Sequence, residues 1–240
     1  MGERGKKRMC GRFKLSTPEA ELRAALGFVE QPNLAPRYNI APTQEVPVLR
    51  QRRQPKGERT LQNLRWGLIP SWAKDAKIAA SLINARAETL TEKPAFAAAF
   101  RKRRCLVPAD GFYEWAGEGE GRQAYLISRR DGGVFAFAGL WERWTPKVGG
   151  KESPAIDSFT IVTTEANSLL RPLHKRMPVI LPETHYADWL DPDAPPEDLK
   201  HLLVPAADDL LRYYPVSKRV NSARIDEPDL ADPTGPETVS

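Results

Sequence analysis

Cysteine and histidine are scarce in this chain. Its 240 residues include two cysteines, Cys10 and Cys105, and three histidines, and no CxxC pair occurs. Two cysteines are too few for a disulfide framework, and a structural zinc site would lack its usual spaced ligands. The sequence therefore predicts a cytoplasmic protein with reduced thiols and with no bound metal.

Long apolar segments and the familiar motifs of cofactor enzymes are missing too. No run approaches the roughly 20 apolar residues that cross a bilayer, and the basic residues 1–8 lead into no apolar stretch of the kind found in signal peptides. The sequence has no Walker loop, no GxGxxG after a predicted strand, no GxSxG and no HExxH. We therefore expect no membrane partner and no cofactor, and the common hydrolase classes lose their support.

Positive charge is in slight excess and is clustered. The chain has 36 Lys and Arg residues against 31 Asp and Glu residues, which gives a formal net charge of +5. Basic residues cluster within 4–12, 50–59 and 101–104, whereas acidic residues follow Glu183 and occupy the C-terminal end. A polyanionic partner fits this distribution, although a solvated helix end would explain residues 101–104 equally well.

Hydrophobic periodicity and turn residues predict an α+β fold. A first helix is expected between Thr17, as its N-cap, and Gly27. Other helices are expected at 96–100, 165–170, 183–190 and 197–203, and strands at 45–50, 59–67, 112–115, 124–127, 134–141, 159–164 and 177–181. Because hairpins dominate and helices do not alternate with strands, we predict a single domain with a mainly antiparallel, curved sheet, a pseudo-barrel, and short flanking helices.

Polar residues embedded in otherwise structural segments are the candidates for chemistry. They are Asn39, Asn84, Arg86, Glu114 and His174. Glu114 stands between two aromatic residues in a predicted strand. Since an ionised carboxylate is costly to bury, Glu114 either faces solvent or lies in a cleft with a raised pKa.

Seven sequence blocks together resemble one known family. They occur in the order of that family and extend over nearly the whole chain, from residue 9 to about residue 230. The blocks are 9–13 (MCGRF), 37–43 (RYNIAPT), 65–72 (RWGLIPSW), 83–89 (INARAET), 104–115 (RCLVPADGFYEW), 138–141 (AGLW) and 174–178 (HKRMP). With these blocks the chain resembles the SRAP family, the SOS response-associated peptidases, whose vertebrate relative protects abasic DNA.

The resemblance implies a protein that binds abasic sites in single-stranded DNA and bonds covalently to them through an N-terminal cysteine, with self-processing peptidase and lyase-like activities. An α-amine, with a pKa of about 7.7–8.0, is partly neutral near pH 7 and can condense with the aldehyde of a ring-opened abasic sugar. The thiol of the same cysteine can then close on the imine carbon to form a five-membered thiazolidine. Only an N-terminal cysteine has both groups free.

Cys10 is not the first residue of the written chain, because residues 1–9 precede it and its nitrogen is an amide. Either translation starts at Met9 and removal of that methionine exposes Cys10, or the extension is cleaved later, for instance by self-processing. A third alternative is that residues 1–9 stay in place and Cys10 is merely a small buried residue. We expect residues 1–9 to be removed or absent in the mature protein, residues 10–230 to form the SRAP domain, and residues 231–240 to be a mobile tail.

The resemblance also implies which residues form the site. The active-site residues would be Cys10, Asn84, Glu114 and His174. Asn84 would hold the amine or donate to the sugar oxygen, Glu114 would move protons, and His174 would act on the sugar hydroxyl. The implied DNA-binding residues are Arg12, Asn39, Trp66, Arg86, Trp115 and Arg176, with Arg86 and Arg176 on phosphates. The alternative explanation for such an arginine is a surface ion pair, and for such a tryptophan it is a contact in the core.

Two other functions stay open at this point. The chain could be a non-covalent single-strand binding module in which Cys10 remains acylated, or a cysteine peptidase that acts on other proteins through Cys10, His174 and Glu114. For the favoured function we expect a monomer in the cytoplasm, associated with the nucleoid when bound to DNA, whose partner is single-stranded DNA with abasic sites.

Overall fold

A computed structural model describes residues 10–52, 57–148 and 151–240. The predicted extension at residues 1–9 lies outside the described residues. The α-helices are α1 (Glu19–Leu26), α2 (Pro94–Lys102), α3 (Tyr186–Leu190) and α4 (Pro196–Leu199). The strands are β1 (Phe13–Leu15), β2 (Arg37–Ile40), β3 (Glu45–Gln51), β4 (Arg59–Trp66), β5 (Asn84–Arg86), β6 (Arg104–Ala109), β7 (Gly111–Ala116), β8 (Gln123–Arg129), β9 (Phe135–Trp144), β10 (Lys147–Val148), β11 (Lys151–Glu152), β12 (Ile156–Glu165), β13 (Arg176–Pro178), β14 (Ile180–Leu181), β15 (Leu211–Val216) and β16 (Thr238–Val239).

Five strands close into a barrel. The strands β12, β4, β3, β6 and β9 are neighbours in that order, and β9 pairs again with β12. β6 is buried along its whole length, because the barrel core lies on one side of it and α2 and α3 pack nearby. Towards its C-terminal end, β12 exchanges these neighbours for β5 on one side and β13 on the other. That end of β12 carries part of the site.

The second sheet is open and has six strands in the order β16, β15, β8, β7, β1, β2. It packs on the barrel through aromatic side chains. The Phe13 ring of β1 meets the Trp66 ring edge-on, with ring centres 5.1 Å apart, and the Phe137 ring at 6.0 Å. Edge-to-face aromatic pairs of this kind stabilise a core beyond the area they bury. Residues just before β1 are thereby held at the junction of the two sheets.

The predicted fold class is confirmed, and the hairpins β3–β4 and β7–β8 form as expected. The sheet is mainly antiparallel, with parallel pairing of β12 to β4 and to β5. The strand expected at 177–181 is divided into β13 and β14, because the Val179 N–H donates to the Val162 carbonyl between them. None of the described helices is long and apolar enough to cross a membrane.

Two helix predictions need correction. The first helix begins at Glu19 rather than next to a Thr17 cap, because the Thr17 hydroxyl and N–H both bind the Asp110 carboxylate. Gly27 ends it as expected, with a φ of +65° that suits glycine. The helix expected at 165–170 is wrong. Asn167 accepts from the Leu170 N–H through its side chain, which favours a turn over a helix.

The tail expected to be mobile from residue 231 onward is instead paired with the open sheet. β16 forms two antiparallel pairs with β15, and the Thr234 N–H donates to the Pro215 carbonyl. An ion pair joins Arg212 and Glu237 at 3.0 Å. The exposed edge of β15 offers unpaired backbone groups, and such an edge can order a polar segment that has little apolar content of its own.

Candidate active site at Cys10

The chain enters β1 through Cys10, which lies against β7. Antiparallel pairing of β1 with β7 is extended by a hydrogen bond from the Tyr113 N–H to the Arg12 carbonyl. This register brings Cys10 to Glu114. The Cys10 N–H donates to Glu114 Oε1 at 2.7 Å, and both residues are buried.

Asn84 reaches the same place from the barrel. It is the first residue of β5, which pairs in parallel with β12. Its side-chain Nδ2 donates to the Cys10 carbonyl oxygen at 3.4 Å. The structure therefore joins Cys10, Asn84 and Glu114, three of the four predicted catalytic residues, from positions that are far apart in the sequence.

Burial controls the protonation of this cluster. Glu114 is 5% exposed, and burial raises its pKa to about 7, although N–H groups of Cys10 and Trp115 and the charge of Arg122 act in the opposite direction. Of the two alternatives for Glu114, the buried one is therefore correct. Burial, and then the nearby Glu114, raises the pKa of the Cys10 thiol well above its ordinary value. Glu114 is thus a proton acceptor and donor near neutral pH, whereas the thiol stays protonated.

His174 follows the turn between β12 and β13. The Arg176 N–H lies 3.1 Å from His174 Nδ1. When that nitrogen accepts this hydrogen bond, the proton of the neutral imidazole is on Nε2. His174 is half-buried. This contact ties the imidazole to the backbone of Arg176.

Both predicted phosphate-binding arginines flank the C-terminal end of β12. Arg86 pairs with Thr163 across β5 and β12 and has an exposed side chain. The Arg176 guanidinium binds both carboxylate oxygens of Glu88, at 2.8 and 2.9 Å, and donates to the Thr163 carbonyl at 2.6 Å. Arg176 is thus engaged in an ion pair with Glu88.

Asn39 does not line a groove. Its side chain is fully buried, and Nδ2 donates to carbonyls in the segment 220–225. Its Oδ1 accepts from Arg12 Nη1 at 2.7 Å, and the same nitrogen donates to the Val220 carbonyl. The prediction that Asn39 contacts DNA is wrong, because a polar group so deeply placed is fully engaged by the protein. Asn39 instead holds Arg12 and the segment 220–225 together.

Trp66 is wrongly assigned to the DNA surface as well. Its ring is fully buried, stacks on Phe159 with ring centres 6.3 Å apart, and donates from Nε1 to the Ile83 carbonyl. No base can reach it. Trp115, in contrast, is half-buried, and guanidinium carbons of Arg12 and Arg122 lie 6.0 and 5.6 Å from its ring centre.

The sequence patterns do not single out Arg122 and Asn221, which contact Trp115, or the exposed Trp72. Asn221 Oδ1 accepts from Trp115 Nε1 at 2.7 Å, but these residues are 106 positions apart and no local pattern connects them. Trp72 is 58% exposed. The Pro70-Ser71 turn signal before it, at the end of the block 65–72, could have distinguished it from the strand residue Trp66. Among the described residues, no group of three or more His, Cys, Asp or Glu side chains could hold a metal ion.

Replacing Glu114 by Gln is expected to change the pH dependence of stability. The folded wild type keeps a proton on Glu114 up to about pH 7, whereas the unfolded chain loses it from pH 4.5 upward, so this burial lowers the free energy of unfolding as pH rises through that window. Gln does not titrate, and it keeps an oxygen for the Cys10 N–H. As the pH rises from 4.5 to 8, the free energy of unfolding of E114Q should therefore increase by about 2–3 kcal/mol relative to that of wild type.

Denaturant unfolding across that pH range checks this expectation. Glu165→Gln, which removes an exposed carboxylate at the end of β12, is the matched control for loss of one negative charge. A difference between E114Q and wild type that is the same at pH 4.5 and pH 8 would show that Glu114 is not held protonated by burial.

Comparison with known proteins gives matches over most of the chain. A family model described as SOS response associated peptidase (SRAP) matches residues 9–223. The abasic site processing protein YoaM of Bacillus subtilis is 39% identical over an alignment of 229 residues, which covers 93% of this chain and 98% of that protein. The abasic site processing protein HMCES of Gallus gallus is 31% identical, over 94% of this chain and 78% of that protein.

A crystal structure of a protein from Bacteroides thetaiotaomicron superposes with a TM-score of 0.82 at 28% identity. It covers 94% of this chain, and all of the Bacteroides chain is matched. The shared sequence blocks, the shared fold and the family match over most of the chain lead to one conclusion. This chain belongs to the SRAP family.

Proposed function

We propose that this protein processes abasic sites in DNA, and that it does so by forming a covalent thiazolidine link between Cys10 and the ring-opened sugar. The first part rests on the relatives, which are named abasic site processing proteins. The second part rests on one contact, the 2.7 Å hydrogen bond between the Cys10 nitrogen and Glu114. It puts a titratable carboxyl group on the atom that would attack the aldehyde.

The proposed reaction joins the aldehyde to the amine and the thiol of Cys10, and Glu114 moves protons between them. The free amine adds to the aldehyde carbon, and loss of water gives an imine. Glu114 takes the proton released by the nitrogen and returns it to the departing hydroxyl group. The Cys10 sulfur then bonds to the imine carbon, which closes the five-membered ring. The thiol proton passes to the nitrogen. The net change is loss of one water molecule, with no oxidant or reductant.

Release of the Cys10 amine must come first. In the written chain the Cys10 nitrogen is an amide and the residue is fully buried. The Cys10 backbone also has a φ of +24°, which is unfavourable for a residue with a side chain. Cleavage before Cys10 would remove this dihedral and the strain in it. These features support a mature protein that begins at Cys10.

The other residues would position the DNA and the amine. Asn84, which donates to the Cys10 carbonyl, would fix the orientation of the amine. His174 would act on the sugar hydroxyl, while Arg86 and Arg176 would bind flanking phosphates. Arg12 and Trp115 would face the unpaired strand, with Trp115 stacking on a base.

Peptidase activity on other proteins is less well supported. A cysteine peptidase needs a thiolate nucleophile, and burial raises the pKa of the Cys10 thiol instead. Addition to an imine carbon, which is already electrophilic, requires a less nucleophilic sulfur than attack on a peptide bond does.

The two groups of Cys10 can be tested separately in protein that begins at residue 10. Cys10→Ser keeps the amine, so it should form an imine with abasic single-stranded DNA that borohydride traps, but the link that survives heat without reductant should be lost. Acetylating the amine, or retaining Met9, should abolish both products. Denaturing gels and intact-mass measurements give the readout. A blocked protein that still crosslinks would mean that another nucleophile acts, and a wild type that binds without crosslinking would favour the non-covalent alternative.

Trp115 provides the test of single-strand binding. Trp115→Ala should weaken binding of unmodified single-stranded DNA about tenfold, because base stacking contributes roughly 1–3 kcal/mol, and should change duplex binding much less. Trp115→Phe is the control. It loses the hydrogen bond to Asn221 but keeps an aromatic face, so it should retain most of the affinity. Equal loss in both variants, measured by fluorescence anisotropy, would contradict stacking.

A further inference from the structure

The Glu88 carboxylate binds the Arg176 guanidinium in the way that a phosphate would. Its two carboxylate oxygens face Nη1 and Nη2 in the fork geometry that arginine uses for carboxylates and phosphates alike. The Glu88 side chain is 48% exposed, whereas the Arg176 side chain is only 14% exposed. Glu88 is therefore the more accessible partner of the pair.

The donors of Arg176 leave no room for a second bidentate partner. Nη2 already donates to Glu88 and to the Thr163 carbonyl, and Nη1 donates to Glu88. Nε is buried and has no partner among the described residues. Of the five N–H protons, the buried Nε proton and one Nη1 proton are therefore unused, and these two do not form the Nη1–Nη2 fork. A phosphate that binds this fork through two oxygens must displace Glu88.

The surroundings of Glu88 fit an exchange of this kind. It lies in the 3-10 turn Ala87–Thr89, directly after the exposed Arg86. Partial burial raises its pKa, but the hydrogen bonds from Arg176 and the charges of Arg176 and Arg86 outweigh this and lower it. The Thr163 carbonyl continues to hold Arg176 when Glu88 leaves.

We propose that Glu88 is an internal competitor for DNA phosphate: it fills the Arg176 fork in the free protein and exchanges with a phosphate when a strand binds. The inference rests on the proposed function, in which Arg176 binds a phosphate beside the lesion. Glu88 then sets the affinity for DNA, because each binding event must break a bidentate ion pair.

The test measures binding of unmodified single-stranded DNA, which needs no Cys10 chemistry. Glu88→Gln should bind about fivefold more tightly than wild type at low salt, and the slope of log affinity against log salt should steepen by up to about 0.7. Glu165→Gln is the matched control. Glu165 is exposed and lies opposite Arg176 in the backbone register of β12 and β13. Its substitution by Gln therefore removes the same negative charge nearby without changing a ligand of the Arg176 guanidinium. Its effect should be clearly smaller, and Glu88→Ala should repeat the gain seen with Gln.

Measurements in the Arg176→Ala background distinguish phosphate binding by Arg176 from the competitor role of Glu88. There the gain from Glu88→Gln should disappear, because the contested fork is gone. If Arg176→Ala itself leaves DNA affinity unchanged, the phosphate assignment within the proposed function fails. If Arg176→Ala weakens binding but Glu88→Gln does not strengthen it, only the competitor role fails, and Glu88 instead holds Arg176 in place. A gain that persists without Arg176 would also overturn the inference.

Discussion

The buried hydrogen bond between the Cys10 nitrogen and Glu114 is the contact around which the site is organised. Glu114 and Phe112 point to the same face of β7, because side chains alternate along a strand, and Phe112 packs against Phe137 of the barrel. The carboxyl group is thus carried into the junction of the two sheets. Burial there has a cost in stability, and it raises the pKa of Glu114 to about 7, where a carboxyl group can both accept and donate a proton near neutral pH.

Near this contact, two of the cationic residues, Arg176 and Arg12, are engaged by the protein itself. Arg176 is held by Glu88, and Arg12 by Asn39 and the Val220 carbonyl. Asp226 accepts from the Asn39 N–H at 2.9 Å, which ties the segment after Val220 to β2. Under the proposed function, an anionic strand would bind such a surface by exchange of partners, and its selectivity would depend on how well phosphates replace carboxylates and carbonyls.

Much of this could be predicted from the sequence, and the failures have physical causes. Hairpins and apolar periodicity identified β3, β4, β7, β8, β9 and β12, whereas β1, β2, β5, β6 and β15 were not predicted. The family blocks identified Cys10, Asn84 and Glu114, which the structure brings together. Trp66 and Asn39 were misplaced because residue type does not reveal burial: the first fills the core and the second binds backbone carbonyls 181–186 residues away. The paired C-terminal tail was missed because strand pairing, not its composition, orders it.

The rate of crosslink formation as a function of pH tests the central claim most directly. Protein that begins at Cys10 would be mixed with abasic single-stranded DNA under single-turnover conditions, and wild type would be compared with E114Q. The account predicts that E114Q reacts about 10²–10⁴-fold more slowly, with DNA affinity nearly unchanged, and that the part of the pH profile due to Glu114 is lost. Equal rates and identical pH profiles would contradict a role for Glu114 in proton transfer at the Cys10 nitrogen.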